Sequence, residues 1–291
     1  MKILLSGVDG YVGKEIYQLL RKNKKYQLFL ISKKRKKNFI YQDLTKPINL
    51  NLKPYAVIHC AAKHKFSKKG NDMKNIYLTN IKMTKNLINF CNKKSVKKVI
   101  FLSSIDVYGK IKKNIVSENL KPHQPNLYGK SKLLSEKLFC SNKNKFKTIC
   151  LRVPGIFTLN LKKNYPLIVK LTKNIINDRK LYTYNINKNF NNVLDVEEIV
   201  KFIKVALKRK ILKNKSYNFS ASKPISFYEV TNLIKKVFKS KSIIINNDTK
   251  KNSFTISINK ISKDFDFTVS STREIISRCC RIIISKGNLY I

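Results

Sequence analysis

Short apolar runs alternate with longer amphipathic segments through the first half of the chain. The longer segments, such as residues 75–91, place apolar side chains at the three- and four-residue spacing of a helix. The short runs cover residues 2–6, 27–31, 56–60 and 98–102. Because strands buried on both faces appear as uninterrupted apolar runs, this pattern predicts an α/β fold with a doubly wound parallel sheet.

The alternation loosens after about residue 155. Amphipathic helices are still predicted over residues 196–207 and 227–238. We therefore expect a larger α/β domain at residues 1–158 and a smaller C-terminal lobe at residues 159–291, from which some segments return to the core of the first domain. No internal repeat is evident in the sequence.

A glycine turn joins the first predicted strand to the first predicted helix. Gly7 permits the tight turn, Gly10 lets the backbone approach a pyrophosphate, and Gly13 lets the helix pack on the strand. The helix N-terminus then favours the anion. This context predicts the dinucleotide-binding unit of a Rossmann domain, although a tight turn without a ligand stays open. The expected cofactor contacts in the turn are Gly7, Asp9, Gly10, Tyr11, Val12 and Gly13.

The end of the second predicted strand bears on which dinucleotide binds. Units that accept NAD usually have a carboxylate there, which holds the ribose 2′-hydroxyl. This chain has Ser32, Lys33, Lys34 and Arg35 instead. Serine and cations suit a 2′-phosphate, so we expect Ser32, Lys33 and Arg35 to contact the cofactor, with NADP slightly favoured over NAD. The alternative is a solvated lysine-rich loop.

A tyrosine, a lysine and a serine form the candidate catalytic group. Tyr128 and Lys132 are four residues apart and so lie on one face of a helix, and Ser104 follows the strand predicted at residues 98–102. A phenol with its ordinary pKa of about 10 is a poor base at neutral pH, but a neighbouring ammonium stabilises its anion. This group is suited to moving the proton of a carbinol while a hydride moves at carbon.

The order of these motifs resembles the extended short-chain dehydrogenase/reductases, the NAD(P)-dependent epimerase/dehydratase family. The resemblance covers most of the first 160 residues and continues more weakly at residues 192–199 and 217–219. The segments that carry it are Gly7 to Gly13, Val57 to Ala62, Asn80, Ser103 to Gly109, and Tyr128 to Lys132.

The resemblance assigns roles to individual residues. It implies that Tyr128 is the acid/base, that Lys132 is its electrostatic partner and a ribose ligand, and that Ser104 donates a hydrogen bond to the substrate oxygen. It also implies a nucleotide sugar as the small-molecule substrate and a homodimer. Further cofactor contacts are expected at Asp43, Leu44, Ala61, Ala62, Asn80, Val153 and Tyr128 itself.

Two departures from the family pattern narrow the expected reaction. Dehydratases of the family carry an Asp-Glu pair after the Ser/Thr, whereas this chain has Ile105-Asp106, which disfavours dehydration. Nucleotide-sugar enzymes often place an arginine before the segment at residues 192–199, and here Lys188 is the cation in that loop. Epimerisation and net reduction of a nucleotide sugar both stay open. So do an NADPH-dependent ketoreductase of a non-nucleotide substrate, a non-catalytic dinucleotide-binding protein and a binder of anionic surfaces.

The amino-acid composition gives the chain a large positive charge, which the motifs described above do not require. The 291 residues include 62 lysine and arginine residues against 16 acidic ones, a formal net charge of +46. Such a surplus suggests nucleic acid or an anionic surface. However, lysine dominates over arginine and is spread along the chain, as an AT-rich coding sequence produces, so we do not expect a nucleic-acid partner.

The remaining features indicate a cytoplasmic protein without a metal site. The six cysteines are scattered and lack the spacing of zinc ligands. No apolar stretch is long enough to span a membrane, and the apolar run at the N-terminus is too short for a signal peptide.

Overall fold

The computed structural model describes residues 1–64, 72–159, 161, 166–210, 212–246 and 252–285. The strands are β1 (Lys2–Ser6), β2 (Gln27–Ser32), β3 (Ile40–Tyr41), β4 (Ala56–His59), β5 (Lys98–Ser104), β6 (Ile115–Val116), β7 (Lys147–Val153), β8 (Gly155–Ile156), β9 (Leu181–Thr183), β10 (Asn189–Phe190), β11 (Val193–Leu194), β12 (Lys215–Asn218), β13 (Ile225–Ser226), β14 (Ile244–Asn246) and β15 (Thr255–Ile256). The helices are α1 (Tyr11–Leu20), α2 (Met73–Lys93), α3 (Leu127–Phe139), α4 (Leu167–Ile176), α5 (Val196–Lys208), α6 (Phe227–Phe238), α7 (Asn259–Phe265) and α8 (Thr272–Ser285), with a short 3-10 helix at Ile105–Tyr108.

Seven strands form one sheet in the order β12-β7-β5-β4-β1-β2-β3. Strand β1 pairs in parallel with β2 on one side and with β4 on the other, and β4 pairs in parallel with β5. The strand order therefore reverses at β1, the place where sheets of this type bind ligands beyond the carboxyl ends of their strands. The predicted doubly wound parallel sheet is confirmed.

The centre of the sheet is buried as its apolar runs predict. Ile3, Leu4 and Leu5 of β1 have no exposed surface, and neither do Val57 and Ile58 of β4. Burying one such side chain stabilises the folded state by about 1.5–3 kcal/mol. This packing holds the ends of β1 and β4 side by side, where the glycine turn and the segment after β4 begin.

Helix α3 is fixed against α2 by buried polar bonds. Asn80 Nδ2 donates to Ser131 Oγ at 3.0 Å, and the hydroxyls of Thr84 and Ser135 lie 2.8 Å apart. Asn126 caps the N-terminus of α3, and its side chain accepts a hydrogen bond from the Gly129 amide. The position of α3, which carries both Tyr128 and Lys132, is therefore set along its length.

The chain divides into two compact units, each made of separate segments. Unit 1 comprises Met1–Lys110, Leu120–Arg152 and Val200–Tyr217, and unit 2 comprises Ile111–Asn119, Val153–Ile199 and Asn218–Ile291. Residues 200–217 thus belong with the first unit and residues 111–119 with the second. The assignment of the second half to substrate binding stays a prediction.

Unit 2 contains its own buried polar bonds. The Asn191 side chain donates to the carbonyls of Ala221 and Ile256 and accepts from the Ile256 amide. The Arg278 guanidinium contacts the carboxylates of Asp195 at 2.8 Å and Glu198 at 2.9 Å. These bonds join segments of unit 2 that are far apart in sequence.

No helix in the described ranges is both long enough and apolar enough to cross a membrane.

The buried Lys98 of β5 supports a first prediction, on stability. Its ammonium donates to the carbonyls of Leu207 at 2.7 Å and Arg209 at 2.5 Å, where α5 ends. A cation at this end also suits the helix dipole. Lys98→Met would leave these carbonyls without the ammonium donor, so we expect a loss of about 1–3 kcal/mol in the free energy of unfolding. Urea denaturation measures the loss.

The control for this prediction is Lys97→Met at the neighbouring, exposed position. It should change the free energy of unfolding by less than about 0.5 kcal/mol. Equal effects of the two substitutions would contradict the helix-capping role of Lys98.

Candidate active site

The predicted functional residues follow the ends of parallel strands. Gly7 comes directly after β1, Ser32 ends β2, Ala61 lies two residues after β4, and Ser104 ends β5. Because these strands run in the same direction, the four positions lie along one edge of the sheet. The structure thus brings together the glycine turn and the candidate catalytic serine, which are almost 100 residues apart in sequence.

Tyr128 and Lys132 lie one turn apart in the first half of α3, and both side chains are buried. Lys132 Nζ donates to the Leu102 carbonyl at 2.7 Å, and it lies 4.6 Å from the centre of the Phe101 ring and 5.8 Å from that of the Tyr128 ring. The ammonium is therefore held between β5 and the tyrosine. Ser104 Oγ accepts a hydrogen bond from the Asp106 amide at 3.1 Å.

Burial shifts the pKa values of this pair in opposite directions. Burial, together with the charge of Asp106, raises the pKa of Tyr128 and so favours the neutral phenol. Burial also lowers the pKa of Lys132 to about 8, although Cys60 and Glu136 act in the other direction. The protonated phenol is suited to donating a proton. The lysine, with a pKa of about 8, loses its charge just above neutral pH.

The glycine turn has the shape that a pyrophosphate requires. Gly7 has φ +84°, and a Cβ there would lie 2.5 Å from the Ala61 amide nitrogen. A Cβ on Gly13 would lie 2.2 Å from the Gly7 carbonyl oxygen. A Cβ on Gly10 would meet nothing closer than 3.3 Å, so Gly10 is the glycine whose missing side chain leaves room for a ligand. The turn therefore fits a dinucleotide.

Tyr11 and Val12 form the first turn of α1, directly after the glycine turn. Tyr11 is exposed and Val12 is half-buried. Their backbone amides belong to the helix end that would face the pyrophosphate.

The end of β2 holds an ion pair that the sequence did not indicate. Ser32 Oγ donates to Asp9 Oδ2 at 2.6 Å, and Lys36 Nζ lies 2.5 Å from Asp9 Oδ1. The Lys34 amide donates to Ser32 Oγ at 2.9 Å. Asp9 from the glycine turn and the basic run after β2 thus form one cluster. Lys33 and Arg35 flank Lys34 in the same run and are exposed.

Asn80 of α2 orders the segment that follows β4. Its Oδ1 accepts from the Lys63 amide at 2.8 Å, and its Nδ2 donates to the Lys63 carbonyl and to Ser131. These bonds tie the backbone at Lys63, directly after Ala61 and Ala62, to α2 and α3; the backbone of Ala61 and Ala62 is expected to line the cofactor.

Asp43 and Leu44, the positions expected near the adenine, follow β3. The Asp43 carboxylate accepts from both the amide and the hydroxyl of Thr45 at 2.8 Å. Leu44 is buried, and its carbonyl accepts from Asn86. Val153, the last predicted cofactor contact, is buried at the end of β7. The roles of all these residues in binding stay predictions.

Glu136 forms a buried hydrogen-bond network that sequence reasoning missed. It lies one turn beyond Lys132 and pairs with Arg152 through two short contacts, Nη2 to Oε2 at 2.7 Å and Nε to Oε1 at 3.1 Å. Ser103 and Ser216 also donate to it. Burial acts to lower the pKa of Arg152, but the bonds to Glu136 outweigh this effect and raise it. The i, i+4, i+8 spacing of Tyr128, Lys132 and Glu136 is the sequence signal that could have identified it.

Two histidines lie close to the candidate catalytic pair. His59 is buried, its Nδ1 lies 2.7 Å from Ser6 Oγ, and its ring stacks on Phe101. Burial, with the charge of Lys132, lowers its pKa to about 3, so it is a neutral core residue. The His64 ring meets the Tyr128 ring edge to face at 4.5 Å between centres. No sequence motif contains His64, so sequence reasoning missed it.

Asn192 carries an unsatisfied polar atom in unit 2. Its Oδ1 is buried and has no hydrogen-bond partner among the described residues. Buried polar atoms are nearly always bonded, so this acceptor is suited to a donor from a ligand.

The model of the NAD dependent epimerase/dehydratase family matches residues 3–220, which include the glycine turn, the serine strand and α3. The chain belongs to this family. The resemblance to extended short-chain dehydrogenase/reductases is thereby confirmed, and with it the class of NAD(P)-dependent enzymes.

Individual members of the epimerase/dehydratase family resemble this chain over most of its length. It is 27% identical to the GDP-6-deoxy-D-talose 4-dehydrogenase of Aggregatibacter actinomycetemcomitans over 80% of this chain and 79% of that protein. The crystal structure of UDP-glucose 4-epimerase from Thermotoga maritima, with UDP-glucose, superimposes with a TM-score of 0.82 at 17% identity, covering 98% of this chain and 99% of that one. RMD from Pseudomonas aeruginosa, complexed with NADPH, gives 0.79 at 19% identity, covering 98% and 99%. These two structures share the fold of this family member.

The thiols and carboxylates of this family member form no metal cluster in the described residues. No group of three or more His, Cys, Asp or Glu side chains there is arranged to hold a metal ion. The six cysteines are free thiols, although the sulfur atoms of Cys140 and Cys150 lie 3.7 Å apart.

Proposed function

We propose that this family member moves a hydride at a carbinol or carbonyl carbon of a nucleotide-linked sugar, with Tyr128 as the acid/base. The observation that carries the proposal is the burial of Tyr128 and Lys132 one turn apart, at the sheet edge that also holds the glycine turn. A phenol beside an ammonium is suited to moving the hydroxyl proton of a sugar. The match to the NAD dependent epimerase/dehydratase family supports this class of reaction.

The residues of this chain would divide the work as follows. The glycine turn and the N-terminus of α1 would hold the pyrophosphate, and Lys132 the ribose. When bound, the nicotinamide supplies the acceptor and donor of the hydride. Tyr128 would take the carbinol proton in oxidation and return it to the carbonyl oxygen in reduction. Because the Asp106 amide donates to Ser104 Oγ, the hydroxyl proton of Ser104 is suited to donating to the same substrate oxygen.

The pKa of Lys132 leads to a prediction on pH dependence. This lysine is charged below about pH 8 and neutral above it. In carbonyl reduction Tyr128 must donate a proton, and its raised pKa keeps it protonated throughout. We therefore expect kcat/KM for reduction to fall above about pH 8, approaching tenfold per pH unit, as Lys132 loses its charge.

Lys132→Arg separates this effect from general alkaline inactivation. A guanidinium keeps its charge at every pH of the assay, so the variant should lose the alkaline fall even where its activity is lower. Lys130→Arg, on an exposed position of the same helix, should keep the wild-type profile. An unchanged alkaline fall in Lys132→Arg would contradict the role of Lys132.

Unit 2 carries candidate groups for the sugar nucleotide. The buried acceptor Asn192 Oδ1 would accept a hydrogen bond from a substrate hydroxyl. Lys188, four residues earlier, is the cation in the loop where nucleotide-sugar enzymes often place an arginine. Relatives with GDP- and UDP-linked sugars in their names support this substrate class.

Assays with UDP-, GDP- and dTDP-linked hexoses and their 4-keto forms test the proposal. An epimerase would convert one sugar to its epimer with the nucleotide retained, whereas a reductase would consume one NADPH or NADH for each turnover. Absence of both activities across the panel, with dinucleotide bound, would overturn the proposed function. The slight preference for NADP, the cytoplasmic location and the homodimer also stay predictions.

A further inference from the structure

A carboxylate stands at the end of β2 although the strand itself supplies none. Strands at this position usually end in the acidic residue that holds the ribose 2′-hydroxyl of NAD. Here β2 ends in Ser32, and the carboxylate comes from Asp9 of the glycine turn, whose Oδ2 accepts the Ser32 hydroxyl proton at 2.6 Å. The fold therefore brings a carboxylate to the end of β2, where the local sequence has only serine and cations.

The groups that would bind a 2′-phosphate are already engaged with Asp9. Ser32 has a single hydroxyl proton, which it donates to Asp9, while its oxygen accepts from the Lys34 amide. Lys36 places its ammonium 2.5 Å from the other carboxylate oxygen of Asp9. To bind a phosphate, both side chains would have to give up these bonds.

Three other cations of the basic run, Lys33, Lys34 and Arg35, also interact with acidic or aromatic groups. Lys33 acts on the carboxylate of Asp43, and Lys34 acts on that of Asp9. The Arg35 guanidinium lies 5.3 Å from the centre of the Tyr41 ring. The run is thus partly balanced by two carboxylates and one aromatic ring, and does not form an open fork for a dianion.

Asp9 is ionised at neutral pH. Partial burial acts to raise its pKa, but the bonds from Lys36 and Ser32 and the charge of Lys34 outweigh burial and lower it. An ionised carboxylate has room for about four hydrogen bonds, and Ser32 and Lys36 take two. It is suited to accepting a hydroxyl proton and unsuited to a phosphate, which at this pH carries only acceptors and negative charge.

We propose that Asp9 is a specificity-determining residue that selects NAD over NADP, by accepting a hydrogen bond from an adenosine ribose hydroxyl and repelling a 2′-phosphate. This inference rests on the dinucleotide site of the proposed function, and it reverses the slight preference for NADP that the basic run alone predicts.

Calorimetric titration of the full-length protein with NAD⁺ and with NADP⁺ tests the inference without any turnover. The wild type should bind NAD⁺ at least tenfold more tightly. Asp9→Asn keeps the shape and removes the charge, and should shrink this ratio by at least tenfold. Lys36→Met removes a cation that neutralises Asp9, and should enlarge the ratio. Asp266→Asn is the matched control, since Asp266 is exposed with φ 48° and asparagine tolerates that backbone.

The possible results separate the inference from the proposed function. Tighter binding of NADP⁺ by the wild type, or an unchanged ratio in Asp9→Asn, would overturn the role of Asp9 and leave the dinucleotide site intact. Binding of neither nucleotide by the wild type would overturn the dinucleotide site and the inference with it.

Discussion

Replacing Tyr128 with phenylalanine is expected to lower kcat by about 10²–10⁴-fold, the range that a positioned acid or base contributes. The substitution removes one oxygen from a buried ring that keeps its contact with His64. The variant should therefore fold normally and bind the dinucleotide within about twofold of the wild type. Steady-state rates with a nucleotide sugar measure the first effect, and calorimetry measures the second.

The matched control is Tyr228→Phe, because Tyr228 lies exposed on α6 in unit 2. It should leave kcat unchanged. If Tyr128→Phe turned over at a rate comparable to the wild type, the assignment of the acid/base would be wrong. A loss of dinucleotide binding large enough to account for the whole loss of turnover would assign Tyr128 to cofactor binding instead of proton transfer.

The second large effect is expected on stability, from Arg152→Met. This change removes the cation that faces Glu136 in a pair whose side chains are only 11% and 4% exposed. Breaking a buried pair from one side leaves an uncompensated charge and costs about 3–5 kcal/mol in the free energy of unfolding. Urea denaturation of the full chain measures this loss.

Two further variants test the cause of this loss. Arg273→Met breaks a pair of similar length, 2.9 Å to Glu229, whose side chains are exposed, and should lie within the error of the wild type. Adding Glu136→Leu to Arg152→Met removes the stranded carboxylate and should recover part of the loss. A loss in Arg152→Met no larger than in Arg273→Met would show that burial of the pair does not matter.

The parts of the site that sequence reasoning found are those with local signals. Gly7, Gly10 and Gly13 form one turn: a Cβ does not fit at Gly7 or Gly13, and its absence at Gly10 leaves room for a ligand. Tyr128 and Lys132 are one turn apart on one helix, so they lie on the same helix face whichever segments pack around them. The strands at the centre of the sheet also have a local sequence signal, because burial on both faces makes them continuously apolar.

The parts that sequence reasoning missed depend on contacts between distant segments. Ser216 reaches Glu136 across 80 residues, and Ser32 reaches Asp9 across 23. In both cases the role of a polar residue depends on a hydrogen-bond partner that no rule of sequence spacing predicts. The basic run after β2 shows the consequence, since Lys36 is bonded to Asp9 and the charge of Lys33 acts on Asp43.

The positions of the acidic residues change the interpretation of the net charge of +46. Several of the few carboxylates form specific bonds: Glu136 with Arg152, Asp195 with Arg278, and Asp9 with Lys36. Most of the lysine surplus therefore lies outside the candidate active site. A positive surface would raise the local concentration of an anionic nucleotide sugar and speed its capture at low salt.

The most direct test of the account is a single-turnover measurement of nicotinamide absorbance at 340 nm, with the protein saturated in NAD⁺ and mixed with UDP- or GDP-linked hexoses. The account predicts that at least one sugar reduces the bound nicotinamide in the wild type and that the Tyr128→Phe signal is at least a hundredfold slower. No signal from the wild type with any sugar, or the same rate in both proteins, would contradict it.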